Sequence, residues 1–373
     1  MTTHPRKAVT EMRRTATALL AVPLLLTGCS DTPPEVTDDD VVRIEESLAH
    51  GSELAWELTQ AETRVASMCM QDEGFTVHDR NLMHGMMIPN RFEGFNSPYA
   101  RVPTVEQAEK FAFGYWVGMT DTDEARAMRE DLDYLAFAGN EMGWSDPTEY
   151  EEYEEWKALG EEYQREWLEA FHGPERLAYL ESMSAGEDPV EAPPFGGCEL
   201  ETIEIVYGGP VHLERDWGSA WIRPDLESPL TWVGDGELYE ELSAEYVDQE
   251  QDFLACVEDR GHGQWRFDDL GYLPVHWYAG QFYGDGTSYE GMEEDVPPLA
   301  DAAEDAEDPV AFEFAMALDF AECAEDSGLR DGAEERWARM YVERLIDREA
   351  EVYAWEQEIE GYLADAQDYI AGK

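Results

Sequence analysis

Residues Leu54–Gly74, LAWELTQAETRVASMCMQDEG, decide how the chain folds, because they join an apolar helical pattern to a cysteine and a closing glycine. The apolar residues recur at spacings of three and four: Leu54, Leu58, Ala61, Val65 and Met68. This spacing predicts an amphipathic helix with Cys69 on its buried face, in the last turn. Gly74, five residues later, suits the left-handed position that ends a helix.

The same ending occurs twice more, at Cys256–Gly261 and at Cys323–Gly328. An apolar helical pattern precedes each cysteine, formed by Leu238, Leu242, Tyr246 and Phe253 in the first case and by Phe312, Met316 and Phe320 in the second. Three helix ends of one kind predict a mainly α fold. We expect a helical globule of two lobes, with long loops and a few short strands.

The start of the chain has the pattern of an export signal. Arg6, Lys7, Arg13 and Arg14 precede the uncharged segment ATALLAVPLLL, residues 16–26. A membrane-spanning helix needs about 20 apolar residues, so this shorter segment indicates a signal peptide. The arginine pair is weak evidence for twin-arginine export, and the route stays open.

Leu26-Thr27-Gly28-Cys29 follows the apolar segment directly. It resembles the lipobox of bacterial lipoproteins, in which an apolar and two small residues precede a cysteine. The resemblance implies that residues 1–28 are removed as a lipoprotein signal peptide. It also implies that Cys29 becomes the first residue, with diacylglycerol on its sulfur, and two acyl chains can hold a protein stably to a membrane. The alternative is an ordinary secretory leader with a cysteine there by chance.

Four cysteines lie beyond the leader: Cys69, Cys198, Cys256 and Cys323. An even number in an exported chain predicts two disulfides, for which three pairings exist. We favour Cys69 with Cys198 and Cys256 with Cys323, since each pair closes its own half of the chain. No Cys-x-x-Cys spacing favours a zinc site or a redox-active pair, so we predict structural disulfides and no metal or cofactor.

The exported part is similar to uncharacterised cysteine-bearing secreted proteins of actinobacteria. The resemblance rests on Cys-Met-x-x-x-Gly-Phe at residues 69–75 and on Gly-Gly-Cys-Glu at residues 196–199. It implies no activity.

The domain organisation follows from composition. Residues 29–43 include a run rich in proline and acids, which predicts an acylated cysteine followed by a flexible acidic tether. We place an N-terminal helical lobe at residues 44–210 and a C-terminal helical lobe at 211–373.

The charge of the chain excludes several partners. It has 25 lysines and arginines against 85 acidic residues, a formal net charge of −60. Nucleic acids and anionic lipid surfaces both attract clustered basic residues, so we expect neither a nucleic-acid partner nor peripheral binding to anionic lipid.

Further patterns predict individual elements. Thr104-Val-Glu-Gln107 is a capping box for a helix through Phe111 and Tyr115, and Asp146-Pro147 begins another helix. That second helix carries the aromatic stripe Tyr150, Tyr153, Trp156, Leu159, Tyr163, Trp167 and Phe171. The stripe is either a sugar-stacking platform or, as we favour, a face packed in the core.

Residues 331–370 carry apolar residues on one face, which predicts the longest helix of the protein. No helical period appears at residues 198–238 or 261–292, and there we expect loops with short strands such as Thr202–Tyr207.

The sequence contains no Gly-x-Ser-x-Gly, His-Glu-x-x-His, phosphate-binding glycine loop or EF-hand calcium loop, and we predict no catalytic residue. One loop region brings polar and aromatic residues close in sequence. These are His262, Trp265, Asp268, Asp269, His276, Trp277 and Tyr278. They could meet at a pocket, but ordinary loop residues are the more economical interpretation.

We therefore predict a membrane-anchored extracytoplasmic lipoprotein that acts as a binding or envelope-interaction module, with an envelope protein or a glycan as partner. One alternative is a cell-wall or polysaccharide-active hydrolase, which would need a cleft with two carboxylates about 5 to 10 Å apart, beside exposed tryptophans. Another is the solute-binding subunit of an importer, which predicts two α/β lobes.

Overall fold

A computed structural model of the protein describes residues 36–83, 92, 94–131, 133–135, 137–138, 147–186, 192–215, 218–224, 226–284, 296–299, 303 and 306–373. The predicted signal peptide and Cys29 lie outside the described residues. Within the described part of the chain, no helix is both long enough and apolar enough to span a membrane.

The first helix, α1 (Asp38–Asp72), is the longest helix of the described residues. Its start has a capping box, because the Thr37 hydroxyl accepts from the backbone N–H of Asp40 and the Asp40 carboxylate accepts from the backbone N–H of Thr37. Three aspartates in the first turn are favourable at the positive end of the helix dipole. Helix therefore replaces the last part of the predicted tether, residues 38–43.

The rest of the described chain is mainly helical, as predicted. Before the strands the helices are α2 (Arg80–Met83), α3 (Val105–Phe111), α4 (Tyr115–Met119), α5 (Asp123–Met128), α6 (Pro147–Ala158), α7 (Glu161–His172), α8 (Pro174–Ser184) and α9 (Gly197–Tyr207). Strands β1 (Val211–Arg215) and β2 (Gly218–Ile222) pair antiparallel, with Val211 opposite Ile222. The later helices are α10 (Asp235–Asp259), α11 (Val275–Tyr283), α12 (Pro309–Ser327), α13 (Ala333–Leu345) and α14 (Glu349–Gly372).

Helices from both ends of the chain pack together. α1 lies along α14, α9 contacts both of them, and α10 packs on α12. Residues 36–373 form one compact unit, so the boundary predicted between lobes at residue 210 does not coincide with a boundary between compact units. The core of this unit has a large cluster and a smaller one around Trp167 and Phe171, which are both fully buried.

The three predicted helix ends have one geometry. Gly74, Gly261 and Gly328 all have positive φ, as predicted. The residue after each glycine donates its backbone N–H to a carbonyl five residues earlier: Phe75 to Met70, His262 to Val257, and Leu329 to Ala324. This is the Schellman motif, and it satisfies carbonyls that the end of a helix leaves unpaired.

Both disulfides have the pairing that we favoured. Cys69 is bonded to Cys198, with 5.7 Å between their Cα atoms, and Cys256 is bonded to Cys323 at the same Cα distance. The first bond joins the end of α1 to the start of α9, and the second joins the ends of α10 and α12.

Two predicted helices are each divided in two. The predicted helix over 331–370 is α13 and α14, joined by the 3₁₀ turn Ile346–Arg348, where the apolar pattern has a gap between Leu345 and Val352. The predicted helix with the aromatic stripe is α6 and α7. These helices are separated at Gly160, which has a φ of 86°.

The helix that begins with the Thr104 capping box has that box but ends at Phe111. Ala112 follows with a φ of 57°, and Tyr115 begins the separate helix α4. The physical reason is a buried carboxylate: Glu313 accepts from the backbone N–H groups of Tyr115 and Trp116 and so caps the start of α4.

Two predictions of non-helical structure were wrong. Thr202–Tyr207 is part of α9, where burial of Thr202, Ile203 and Val206 on one helix face outweighs the strand preference of β-branched residues. Residues 275–283 of the predicted loop region form α11, in which Tyr278 and Ala279 are buried.

Candidate functional site

The residues of the predicted loop cluster have separate structural roles. His262 is buried, and its Nε2 lies 2.7 Å from Oδ2 of Asp319 on α12. Asp268 accepts from the backbone N–H groups of Leu270 and Tyr272 and so stabilises a turn. Asp269 and His276 are exposed. The loop interpretation therefore holds for His262, Asp268 and Asp269, whereas His276 lies in α11. The described residues contain no group of three potential ligands that could hold a metal ion.

The aromatic stripe belongs to the core. Trp156, Trp167 and Phe171 are buried in the smaller cluster, where the Trp167 ring stacks on Phe171 and meets Trp156 edge-on. Leu159 is exposed, and the side chain of Tyr150 lies outside the described residues. The prediction of a packed face is therefore confirmed for Trp156, Trp167 and Phe171.

A polar cleft of about 430 Å³ lies beside the C-terminal part of α1, from Gln60 to Gln71. We call it the arginine cleft. Its lining residues come from α1, from the segment after it, from the start of α2 and from α6: Gln60, Thr63, Arg64, Ser67, Gln71, Thr76, Val77, His78, Arg80, Glu152 and Glu155. Gln60, Arg64, Ser67 and Gln71 lie at steps of three and four, so they form one polar face of α1. The volume is within the range of small-molecule sites.

Hydrogen bonds fix the wall that faces α1. The Tyr163 hydroxyl donates to the carbonyl oxygen of Val77 at 2.9 Å and accepts from the Val77 N–H at 3.4 Å. Arg80 Nε lies 2.8 Å from Oε2 of Glu152, which ties this segment to α6. The arginine cleft thus has a fixed frame before any ligand is present.

His78 in this wall is a neutral donor. Trp167 Nε1 donates to His78 Nδ1 at 3.3 Å, which places the ring proton on Nε2. Burial, with a smaller contribution from Arg80, lowers the pKa of His78. Its Nε2 is buried and has no hydrogen-bond partner among the described residues. An unpaired buried donor costs about 1–3 kcal/mol, so a ligand acceptor at this position would be favourable.

Arg64 is the most available cation of the cleft. Its side chain is exposed and makes no ion pair with another described residue. The hydroxyls of Thr63 and Ser67 donate to α1 carbonyls, so they present only oxygen lone pairs to the cleft. The lining therefore combines two guanidinium groups and amide donors with acceptor oxygens and two glutamates.

A second cleft, of about 340 Å³, meets the arginine cleft at Gln60 and Arg64. We call it the apolar cleft, because most of its lining is apolar. Its lining residues are Trp56, Glu57, Gln60, Ala61, Arg64, Leu363, Gln367, Ile370 and Ala371. It lies between α1 and the end of α14, so one face of α1 carries a polar site and an apolar site side by side.

A buried charged network lies on another side of α1. Glu62 is 3% exposed and contacts Arg223, while the Tyr207 hydroxyl donates to it at 3.1 Å. Glu199 lies 2.8 Å from His172 and 3.8 Å from Arg223. Burial raises the pKa of Glu62, and the Arg223 charge opposes that shift. These groups satisfy one another and join α1, α7, α9 and the segment after β2.

Comparison with known proteins gives no match: no family model, no curated protein and no solved structure matches this chain. The site therefore has to be interpreted from its own residues. The prediction missed both the arginine cleft and the buried network. Two signals were present in the sequence: the polar series from Gln60 to Gln71, and an acid, Glu62, four residues after Leu58 on the apolar face of α1.

Proposed function

We propose that the protein is a membrane-anchored extracytoplasmic lipoprotein that acts as a binding module at the outer face of the membrane. The observation that carries the proposal is the pair of disulfides, Cys69–Cys198 and Cys256–Cys323, because such bonds persist in oxidising compartments outside the cytoplasm. The leader and the sequence Leu26–Cys29 support lipid attachment at Cys29. An envelope protein or a glycan remains the proposed partner.

Binding is favoured over catalysis by the arginine cleft. It offers a fixed polar frame of small-molecule size, and the sequence has no recognisable catalytic motif. The hydrolase hypothesis needs exposed tryptophans beside a pair of carboxylates. Glu152 and Glu155 line the cleft, but no tryptophan is among its described lining residues. Against the importer hypothesis, the described residues contain a single two-stranded sheet and not two α/β lobes.

Substitution of the anchoring cysteine tests the proposal. We expect the unchanged chain in the membrane fraction with an acylated Cys29, and the Cys29→Ser chain released into the medium. Ser30→Ala, one residue beyond the lipobox, is the matched control and should stay in the membrane. Cell fractionation and mass spectrometry of the mature N-terminus measure both results. A Cys29→Ser chain held as firmly as the unchanged one contradicts the proposal.

A further inference from the structure

We propose that the arginine cleft and the apolar cleft together bind one amphiphilic anion. Its phosphate or carboxylate group lies at Arg64 and Arg80, and its single alkyl chain lies against Trp56, Leu363 and Ile370. The inference rests on the proposed binding function and names a small ligand for the arginine cleft, in addition to the envelope protein or glycan proposed as partner.

The first step is the position of the cations. Only 25 of the 373 residues are lysine or arginine, against 85 acids, yet two arginines line this one cleft. Arg64 has no ion pair within the described part of the chain. Guanidinium groups bind phosphate and carboxylate with paired, charge-assisted hydrogen bonds. The neutral His78 adds an N–H donor at Nε2 that has no partner among the described residues.

The second step is that charge alone gives a weak site. Glu152 and Glu155 line the same cleft, and Arg80 already contacts Glu152. A small inorganic ion would therefore gain little there. A ligand with an apolar part can gain the rest of its affinity from the hydrophobic effect, which contributes roughly a fourfold increase for each methylene group buried.

The third step is the shared wall. Gln60 and Arg64 line both clefts, so an anion at Arg64 lies at the entrance of the apolar cleft. Leu363 is buried and Ile370 half-buried at the end of α14, and together with Trp56 they offer an alkyl chain a surface. An extended apolar surface with a few placed polar groups is the usual composition of a ligand site.

The net charge of −60 favours a single molecule over a membrane surface as the ligand of this site. An anionic bilayer repels a chain of this charge, whereas a single molecule interacts with the local charges of its site. We therefore infer a monomeric amphiphile.

Isothermal titration calorimetry tests the ligand class on the full chain carrying Cys29→Ser, kept free of detergent. The probes are butyl, hexyl and octyl phosphate below their micelle concentrations, inorganic phosphate and 1-octanol. We expect affinity to rise with chain length, and octyl phosphate to bind at least about tenfold more tightly than inorganic phosphate or octanol. Equal affinity for octyl phosphate and octanol, or no heat of binding from octyl phosphate, overturns the inference.

Two variants assign the two parts of the site. Arg64→Gln should weaken octyl phosphate binding about tenfold or more, while Arg126→Gln, the loss of another exposed helix arginine, should leave it unchanged. Ala371→Trp, an exposed position that lines the apolar cleft, should remove the dependence on chain length. Circular dichroism confirms folding of each variant. Unchanged affinity in Arg64→Gln overturns the inference even where membrane anchoring through Cys29 is established, so the two proposals fail separately.

Discussion

The two disulfides close helix ends of one local pattern but have different surroundings. Cys256–Cys323 joins α10 to α12 within the large core, where Cys323 is fully buried. Cys69–Cys198 belongs to the smaller core, next to the arginine cleft, where Ser67 and Gln71 flank Cys69. Cysteine and glycine therefore end a helix in the same way in both places. Whether a packed core or a cleft surrounds that helix end depends on other residues.

Removal of each disulfide should give the largest loss of stability. In the chain-entropy model a bond that closes a longer loop stabilises more. With sequence separations of 129 and 67, serine at both Cys69 and Cys198 should lower the free energy of unfolding by about 5 kcal/mol, and serine at Cys256 and Cys323 by about 4 kcal/mol.

Urea denaturation of both double variants measures this difference. A clearly larger loss at Cys256 and Cys323 would contradict loop length as the main cause of the stabilisation and would indicate packing of the large core around Cys323. Non-reducing peptide mapping is the control, because the unchanged chain should contain no free thiol among the four cysteines.

The charged network of the smaller core gives the next largest effect. Arg223→Met leaves Glu62 buried without its cation, which should lower the free energy of unfolding by about 3–5 kcal/mol. The matched change in the other region is Arg336→Met, which breaks the more exposed pair with Glu245 and should cost about 1 kcal/mol or less. Urea denaturation compares the two.

The loss in Arg223→Met should also depend on pH. Burial raises the pKa of Glu62, and removal of Arg223 raises it further, so the carboxyl is neutral in acid and its burial costs less. The difference from the unchanged chain should therefore shrink from pH 8 to pH 5. A difference that stays constant would contradict an unpaired charge as its cause.

The large core contains a buried carboxyl of a different kind. Glu313 has hydrogen bonds from the Tyr283 hydroxyl and from two backbone N–H groups but no cation partner among the described residues, and burial raises its pKa from 4.5 to about 7. The folded state therefore holds this proton more tightly than the unfolded state. The resulting stability is full below about pH 4.5 and is lost as pH rises to about 7, a change of roughly 3 kcal/mol.

Glu313→Gln should remove this contribution to the pH dependence of the free energy of unfolding. Glu325→Gln, an exposed position on the same helix, is the matched control and should keep it. Urea denaturation from pH 4.5 to pH 8 measures both slopes. Equal slopes in the Glu313→Gln and Glu325→Gln chains would show that Glu313 does not titrate in this range.

Features that depend on nearby residues were predicted well from the sequence. The helix ends at Gly74, Gly261 and Gly328 need only a local pattern of apolar residues, a cysteine and a glycine. The mainly α fold follows from the same periodicity. The division between α3 and α4 was not predicted, because its cause is a carboxylate from Glu313, about 200 residues further along the chain.

The candidate site could not be predicted from the sequence, for a related reason. Arg64 and Arg80 line one cleft only because α6 and the segment after α1 fold back on α1, and the apolar cleft needs the end of α14 beside Trp56. A polar helix face such as Gln60 to Gln71 is usually solvated, and the periodicity alone does not distinguish a solvated face from the wall of a site.

The smallest expected effect comes from substitution of the glycines that end the helices. It tests whether helix ends of the same type behave alike in the two regions. Gly74→Ala and Gly261→Ala each place a side chain at positive φ, with no atom within 4 Å of the added Cβ, so both should lower the free energy of unfolding by about 1 kcal/mol through backbone strain alone. Gly328→Ala adds a contact of 3.2 Å with the Asp331 side chain, so its loss should be slightly larger. Thermal and urea denaturation compare the three. Equal losses at Gly74 and Gly261 would mean that the difference between the regions begins beyond the helix end, whereas a smaller loss at Gly74 would mean that the end of α1 beside the arginine cleft opens without unfolding the rest of the protein.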